Sequence, residues 1–452
     1  MKKTFAFLFM LFTVAAVFGQ SSSVTVFKGA RLIDGTGAPA IKKGVLVIEG
    51  DRITAIGKEG KVHYPKNARV IELENHTIMP GIINAHGHVG LVLGTENRAD
   101  AYTRENIEKA LVQYEQYGVT SVLSLGLNRD LLYELRDEQR RGAFPGASIF
   151  TAGRGFGVES GASAVAVSHD QVYRPQSAEE ARAQVREMAA RHPDIVKLWL
   201  DDMYGKYPKM DPAIYKAVID ESHRQGLRVA AHVFYLADAK ALIADGVDVL
   251  AHSIRDLPVD EELIEMMKTH NVIYIPTLMV DQSAFVFAED PGVMHDLFFK
   301  QAVSPDLAQM LESPAYRAKI ESDPNLARAK AAFAMAQRNL KALEDAGVRV
   351  AFGTDSGASP TRIPGWAEHH ELELMVRAGL TPMQAIVAAT NGSAVVLGAA
   401  GLGTLEAGKR ADFLILASNP LDSISNTRSM VSIWHNGEEV QPRAGAPSLH
   451  LQ

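Results

Sequence analysis

The chain has 452 residues, 47% of them apolar, with a formal net charge of −7 and no cysteine. That length suits one large domain plus a smaller one. The lack of a basic field argues against a nucleic-acid partner, and the lack of cysteine excludes disulfides, thiolate metal sites and cysteine nucleophiles together.

Residues 1–19 read as a secretory signal peptide. Lys2 and Lys3 supply the positive start, and the run from Phe5 to Phe18 is apolar apart from Thr13. Val17 and Gly19 precede a cleavage point followed by polar Gln20. The competing reading is a transmembrane anchor, for which the run is short. No later segment is apolar enough to cross a membrane, and no cysteine marks a lipid attachment. The expectation is a soluble mature protein, periplasmic or secreted, with no membrane partner once the signal is removed.

Residues 20–79 are strand-rich, with short runs such as Val24-Thr25-Val26-Phe27 and Gly44-Val45-Leu46-Val47-Ile48. Gly50-Asp51 makes a hairpin turn to Arg52-Ile53-Thr54-Ala55-Ile56. The same texture returns over 401–452, in Ala411-Asp412-Phe413-Leu414-Ile415-Leu416 and around Trp434. Two β-rich ends predict a composite β-sandwich domain assembled from both termini.

Between them, residues 80–400 alternate strand and helix. Candidate strands end at His86, Leu125, Ala152, Leu200, His232, His252, Pro276 and Asp355. Helical stretches at 178–190, 212–225, 236–244 and 261–269 separate them, several stopped by a glycine. Eight strand–helix units over roughly 320 residues predict a (β/α)8 TIM barrel, with an open doubly wound sheet as the competing arrangement. One connection is too long. Of the residues between Pro276 and Val350, 327–346 form the expected helix, while 277–325 carry Phe285, Phe287, Phe298, Phe299 and Tyr316. An insertion of that length is a functional lid or is disordered. Its aromatics favour a partly helical lid over the barrel mouth.

A barrel places its reactive residues at the C-terminal ends of strands. His86 and His88 end strand one on the same face, since residues i and i+2 of a strand point the same way. His232 ends strand five, His252 strand six and Asp355 strand eight. Neutral imidazoles and a carboxylate suit zinc and its neighbours. Asp355 can also be a turn residue of Gly353-Thr354-Asp355-Ser356-Gly357, but its place after an apolar strand favours a ligand that doubles as general base. Lys197 is flanked by apolar residues on both sides. Burial lowers a lysine pKa, and a neutral amine reacts with carbon dioxide to give a carbamate whose two oxygens can bridge two metal ions. The other reading is a lysine that reaches the rim or pairs with Asp201 or Asp202.

The chain resembles the amidohydrolase superfamily, in its imidazolonepropionase-like and Xaa-Pro dipeptidase (prolidase)-like branch. The resemblance runs from about Val24 to Val440. It is carried by Gly29-Ala30-Arg31-Leu32-Ile33-Asp34-Gly35-Thr36-Gly37, Pro80-Gly81 with His86-Gly87-His88, Gly353-Thr354-Asp355, Ala378-Gly379-Leu380-Thr381-Pro382 and Gly403-Thr404-Leu405-Glu406-Ala407-Gly408. It implies a binuclear site in which His86, His88 and Asp355 hold one zinc and His232 and His252 the second. Lys197, carboxylated by carbon dioxide, bridges them with a hydroxide. Asp355 is then the proton carrier, and Tyr235 matches the place of a tyrosine that steadies the oxyanion; its other reading is the first turn of the next helix. Arg154, His169, Tyr173 and Arg174 lie on loops after strand three and are candidates for a substrate carboxylate.

The implied activity is hydrolysis of a C–N amide bond in a small molecule or short peptide, such as a Xaa-Pro dipeptide or an N-acyl amino acid. Alternatives are a mononuclear imidazolone-ring hydrolase or deaminase, which lacks the bridging lysine, a lactone or carbamate hydrolase on the same site, and a non-catalytic scaffold. A homo-oligomer is possible for such a chain.

Overall fold

The computed structural model describes residues 24–443 except 164 and 166, and the expected signal peptide lies outside them. Strands Ile82–Gly87, Val119–Ser124 and Ser148–Thr151 pair in parallel. Strands Val196–Trp199, Val229–His232, Val249–Ala251 and Ile273–Ile275 form a second parallel sheet. A bridge between Phe156 and Leu198 joins the two sheets at one side. At the other side Ala351 N donates to Tyr274 O at 2.9 Å, and Ala85 N donates to Phe352 O at 3.0 Å. The result is TIM-barrel-like. Its strands are nearly all buried, because helices cover them, and so they are rich in Val, Ile, Leu and Ala without a strict polar–apolar alternation.

The segment 350–355 departs from the strand expected there. It bonds to both neighbours but forms only isolated bridges. Two causes are local. Thr354 N and Asp355 N both donate to His86 O, at 3.1 and 2.6 Å, which breaks the ladder register. Asp355 also adopts a left-handed φ of 56°.

Helix boundaries follow their caps. Ala178–Ala189 begins where Ser177 accepts from Glu180 N at 3.1 Å. Pro212–Arg224 has Asp211 at its cap and proline at its first position. Asp260 accepts from Leu263 N to start Glu261–Thr269. Gly226 and Gly246, at φ 73° and 96°, supply the left-handed stops after Pro212–Arg224 and Leu236–Ala244.

Strands from both ends of the chain pair in one mixed sheet, ordered Glu438–Val440, Met430–His435, Phe413–Leu416, Thr77–Pro80, Val24–Leu32, Ile41–Glu49, Arg52–Lys58. Val24–Leu32 forks it: its first half pairs with Arg69–Glu72 and its second half with Thr77–Pro80. Phe27 packs edge-on against both Phe413 and Trp434, at 5.0 and 4.9 Å, tying the N-terminal strands to the C-terminal ones.

The long insertion is helical over Met279–Gln282, Val286–Glu289, Leu297–Ala302, Pro305–Glu312 and Pro314–Glu321, and leads into Leu326–Asp345. Ser304 and Ser313 cap two of these helices, each with proline at the first position. Phe287 and Phe299 are buried against Trp366 of Trp366–Arg377, at 5.6 and 5.2 Å. Burial of aromatics on this scale fixes the insertion over the strand ends.

Candidate active site

His86 and His88 leave their strand on the same side and meet Asp355. Asp355 Oδ1 lies 3.3 Å from His86 Nε2 and 2.9 Å from His88 Nε2. Ligand atoms of these three buried residues all fall within 4.8 Å of one another. The His86 ring lies 4.5 Å from that of His252, tilted to it by 47°, and the His252 ring is 4.3 Å from His232. The four histidines predicted at strand ends therefore form one contiguous cluster, with the carboxylate at one end.

Each of the outer two histidines is held by a partner. His232 Nε2 is 2.8 Å from Asp201 Oδ2, and His252 Nδ1 is 2.8 Å from Thr277 Oγ1. Such contacts fix the ring orientation and leave the other nitrogen free. His252, Thr277 and Asp355 all adopt positive φ, 75°, 45° and 56°. For β-branched Thr277 this is a strained backbone, of the kind that collects at functional sites.

Lys197 is fully buried and its Nζ has no hydrogen-bond partner. It neither reaches the rim nor pairs with Asp201 or Asp202, which bond to His232 and to Tyr235 instead. Burial lowers its pKa to about 7, against the pull of Asp355. The same burial, with repulsion from Lys197, takes His86 down to about 3. Burial opposes ionisation of Asp355, but the Arg362 guanidinium and the bonds from His86 and His88 hold it well below the usual carboxylate range. Burial also lowers the pKa of His232 and His252, so three imidazoles of the cluster favour the neutral form beside an ionised carboxylate, the protonation pattern of metal ligands.

Whether these residues fit a metal is settled by their unsatisfied atoms. His86 Nδ1, His88 Nδ1 and Lys197 Nζ are all buried without a hydrogen-bond partner. Buried polar atoms are rarely left so. With His86 Nε2 and His88 Nε2 converging on Asp355 Oδ1 and Lys197 Nζ orphaned in the same buried cluster, the donor set fits a divalent cation.

The cluster floors a cavity of about 430 Å³. Its walls include Trp199, Phe234, Leu326 and Ala329, and its charged members beyond the cluster are Asp201, Arg255, Asp281, Asp323 and Arg362. Leu326 and Ala329 belong to the helix that follows the insertion, and Asp281 to the insertion itself. Tyr235 does not line this cavity; it precedes Leu236–Ala244, and its hydroxyl donates to Asp202 at 2.7 Å. Arg154, His169, Tyr173 and Arg174 are also away from it. Arg154 lies 4.8 Å over the Tyr173 ring, and Tyr173 donates to Glu187 at 2.9 Å. His169 starts a short 3-10 turn, and Arg174 donates to Val172 O.

Several residues of the site gave no signal in the sequence. Glu368 is buried and accepts from Asn84, Thr354 and Ser356, which all flank ligand positions. Thr277, Arg255 and Arg362 were equally unmarked. Only their places just after strand-ending segments could have suggested them.

A sequence profile of the amidohydrolase family matches residues 77–441. The ochratoxinase of Aspergillus niger is 25% identical over 469 residues, covering 93% of this chain and 87% of its own. Among solved structures, a putative prolidase from Bifidobacterium longum superposes with a TM-score of 0.75 at 23% identity, covering 95% of this chain and 97% of that one. A Xaa-Pro dipeptidase with methionine bound in its active site gives 0.72 at 24% identity, covering 93% and 100%. Likeness at that identity shows a shared fold.

Proposed function

The chain belongs to the amidohydrolase family, and we propose that it is an exported, metal-dependent hydrolase of a C–N amide bond. Its substrate is a Xaa-Pro dipeptide, another dipeptide or an N-acyl amino acid. The observation that carries this reading is the junction of Asp355 with His86 and His88, at 3.3 and 2.9 Å, beside the buried and unpartnered Lys197. The names of the relatives, ochratoxinase and Xaa-Pro dipeptidase, support the same bond type.

His86, His88 and Asp355 would hold one ion, and His232 and His252 the second. Divalent ions such as zinc, when bound, supply a hydroxide near neutral pH and polarise the scissile carbonyl. Lys197 takes up carbon dioxide at Nζ: an N–C bond forms and the amine loses a proton. The carbamate, one negative charge shared over two oxygens, would then supply ligand oxygens to the metal ions. Asp355 accepts the proton of the attacking water and returns it to the leaving nitrogen. Thr277 and Asp201 keep His252 and His232 in their rotamers throughout. The aromatic and aliphatic walls keep bulk water from the amide.

A mononuclear ring hydrolase or deaminase is the second reading, favoured by one fact: His86, His88 and Asp355 already converge without the others. Metal count separates the two. Elemental analysis of protein prepared with zinc and bicarbonate should give two metals per chain, and the zinc form should release free amino acid from a library of Xaa-Pro dipeptides and N-acyl amino acids. One metal per chain would sink the binuclear assignment, and an inert library the amide reading.

A further inference from the structure

Three side chains from separate elements line up at the end of the barrel away from the metal cluster. Ser148 opens the strand Ser148–Thr151, His435 closes Met430–His435 of the mixed sheet, and Glu115 lies in the helix Arg104–Gln116. Ser148 Oγ is 3.0 Å from His435 Nε2, and His435 Nδ1 is 2.5 Å from Glu115 Oε1. A carboxylate only accepts, so Nδ1 carries the ring proton and Nε2 is left to accept from the Ser148 hydroxyl. His435 and Glu115 are buried, whereas Ser148 is partly exposed and Asn436, beside His435, is exposed. Solvent therefore reaches the hydroxyl end of this chain and not the carboxylate end. Two further donors stand at the open end. Asn436 Nδ2 is 3.4 Å from His435 Nε2. Arg410 Nη2 donates to Ser121 Oγ at 3.2 Å, and Ser121 is the residue opposite Ser148 on the neighbouring parallel strand.

We propose that Ser148, His435 and Glu115 form a second catalytic site, which hydrolyses esters of short-chain carboxylic acids through an acyl-serine. A tie between barrel and mixed sheet could place its donors and acceptors in any order. The order here, accessible hydroxyl to imidazole to buried carboxylate, is that of an activated nucleophile with its base held in one tautomer. As the Ser148 Oγ–carbonyl carbon bond forms, His435 Nε2 takes the hydroxyl proton, and the negative charge passes to the carbonyl oxygen. The Asn436 amide and the Arg410 guanidinium are the donors near that oxygen. The carbon–alkoxide bond then breaks, and the alcohol leaves with the proton from Nε2. Water repeats the two steps, releasing the carboxylic acid and restoring the Ser148 hydroxyl. Glu115 touches no substrate; it positions the ring and steadies its charged form. An ester suits this set of groups better than an amide, because an alkoxide leaves more readily than an amide anion. The partial exposure of Ser148 favours a small acyl group.

The test treats zinc-loaded protein with diisopropyl fluorophosphate, a probe of activated serines, and separately with p-nitrophenyl acetate. Peptide mass mapping should find the phosphoryl group, and after an acid quench the acetyl group, on Ser148. Ser148→Ala should take up neither and should lose the rapid first release of p-nitrophenol, with zinc content unchanged. Glu115→Gln should slow both modifications of Ser148 by about 100-fold or more, because the ring loses its fixed tautomer. Glu115→Asp, which keeps the carboxylate, should recover part of that rate. A purely structural tie would register in the melting temperature and leave Ser148 inert to both reagents. An unmodified Ser148 in wild type, a first release of p-nitrophenol that persists in Ser148→Ala, or equal modification rates in wild type and Glu115→Gln overturns the proposal.

Discussion

The Ser356 hydroxyl donates to Glu368 Oε1 at 2.6 Å, directly behind the backbone that presents Asp355. Thr354 Oγ1, on the other side of Asp355, donates to the same oxygen at 2.7 Å, as does Asn84 Nδ2 at 2.7 Å. Asn84 in turn accepts from His86 N at 2.9 Å, and Gly365 N donates to Glu368 Oε2 at 2.6 Å. One buried carboxylate thus fixes the two chain segments that deliver His86 and Asp355. Replacing Glu368 with Ala takes the acceptor from the Thr354 and Ser356 hydroxyls and from Gly365 N, while Asn84 Nδ2 keeps Thr354 Oγ1 and Ser356 Oγ. Each such loss costs about 1–3 kcal/mol, so a destabilisation of at least about 3 kcal/mol is expected, with zinc affinity down about 10- to 100-fold. Urea unfolding and competition with a zinc chelator measure the two effects. Wild-type stability together with wild-type metal affinity would show that this carboxylate is dispensable.

Glu371 makes a pH prediction three residues on. It is buried and accepts from the backbone N–H groups of Leu278 and Met279, both at 2.7 Å, at the start of the insertion. Burial pushes its carboxyl up to about 8; the two N–H groups oppose the shift, and the nearby charges of Glu368 and Asp281 add to it. The folded protein then holds a proton that the unfolded chain releases near the ordinary value of 4.5. Stability from this group is complete below about pH 4.5, falls as pH rises through the window to about 8, and is level above it. Glu371→Gln removes the titration. The melting temperature of Glu371→Gln minus that of wild type should therefore climb between about pH 4.5 and 8. A difference that stays flat across the window would contradict this account.

What the sequence could reveal follows from the range of the interactions involved. His86, His88, His232, His252 and Asp355 are legible because each ends a short apolar run, and period-two geometry aims it. Lys197 is legible because an ammonium amid Val196, Leu198 and Trp199 has no local partner. Helices such as Leu236–Ala244 and Glu261–Thr269 are legible from their caps and stops. Glu368 is not, because its meaning lies in Asn84, 284 residues away, and nothing local distinguishes it from Glu371 or Glu373. Tyr235 shows the opposite difficulty. The resemblance implies an oxyanion role for it, while its hydroxyl here donates to Asp202, a partner that nothing in the sequence marks. The irregular segment 350–355 was hidden too, since the double donation to His86 O depends on tertiary closure rather than propensity.

The Arg255–Asp281 pair predicts an asymmetry. Both side chains are more than nine-tenths buried, and the pair links the strand-six loop to the insertion. Removing one partner of a buried pair strands the other charge, at a cost of about 3–5 kcal/mol. Asp281→Asn and Arg255→Met should each destabilise on that scale. Arg255→Met with Asp281→Leu should recover most of the loss, because neither charge is then left alone. A double-mutant cycle in urea measures the coupling; additive losses would mean the pair carries no net attraction. KM should rise in the single variants, as the pair also lines the cavity.

Lys197 supports the last prediction. Its Nζ makes no hydrogen bond, and burial disfavours its charged form. Structurally the ammonium contributes nothing a methyl could not, so a purely structural lysine would tolerate Lys197→Met. A carbamate-forming lysine behaves otherwise: Lys197→Met should keep the fold and the metal-free melting temperature while losing most bound zinc and at least about 100-fold of kcat/KM. Lys197→Ala should lose the same functions and also open space beside Trp199, whose ring lies 5.5 Å from Nζ. Acetate carries the same planar pair of oxygens as a carbamate and is small enough for that space. Millimolar acetate should therefore restore part of the zinc content and activity of Lys197→Ala, and none of Lys197→Met, where the side chain fills the gap. Full zinc binding and activity in Lys197→Met would reduce Lys197 to a packing residue. Rescue of both variants by acetate would place the anion somewhere other than the position the carbamate is to occupy.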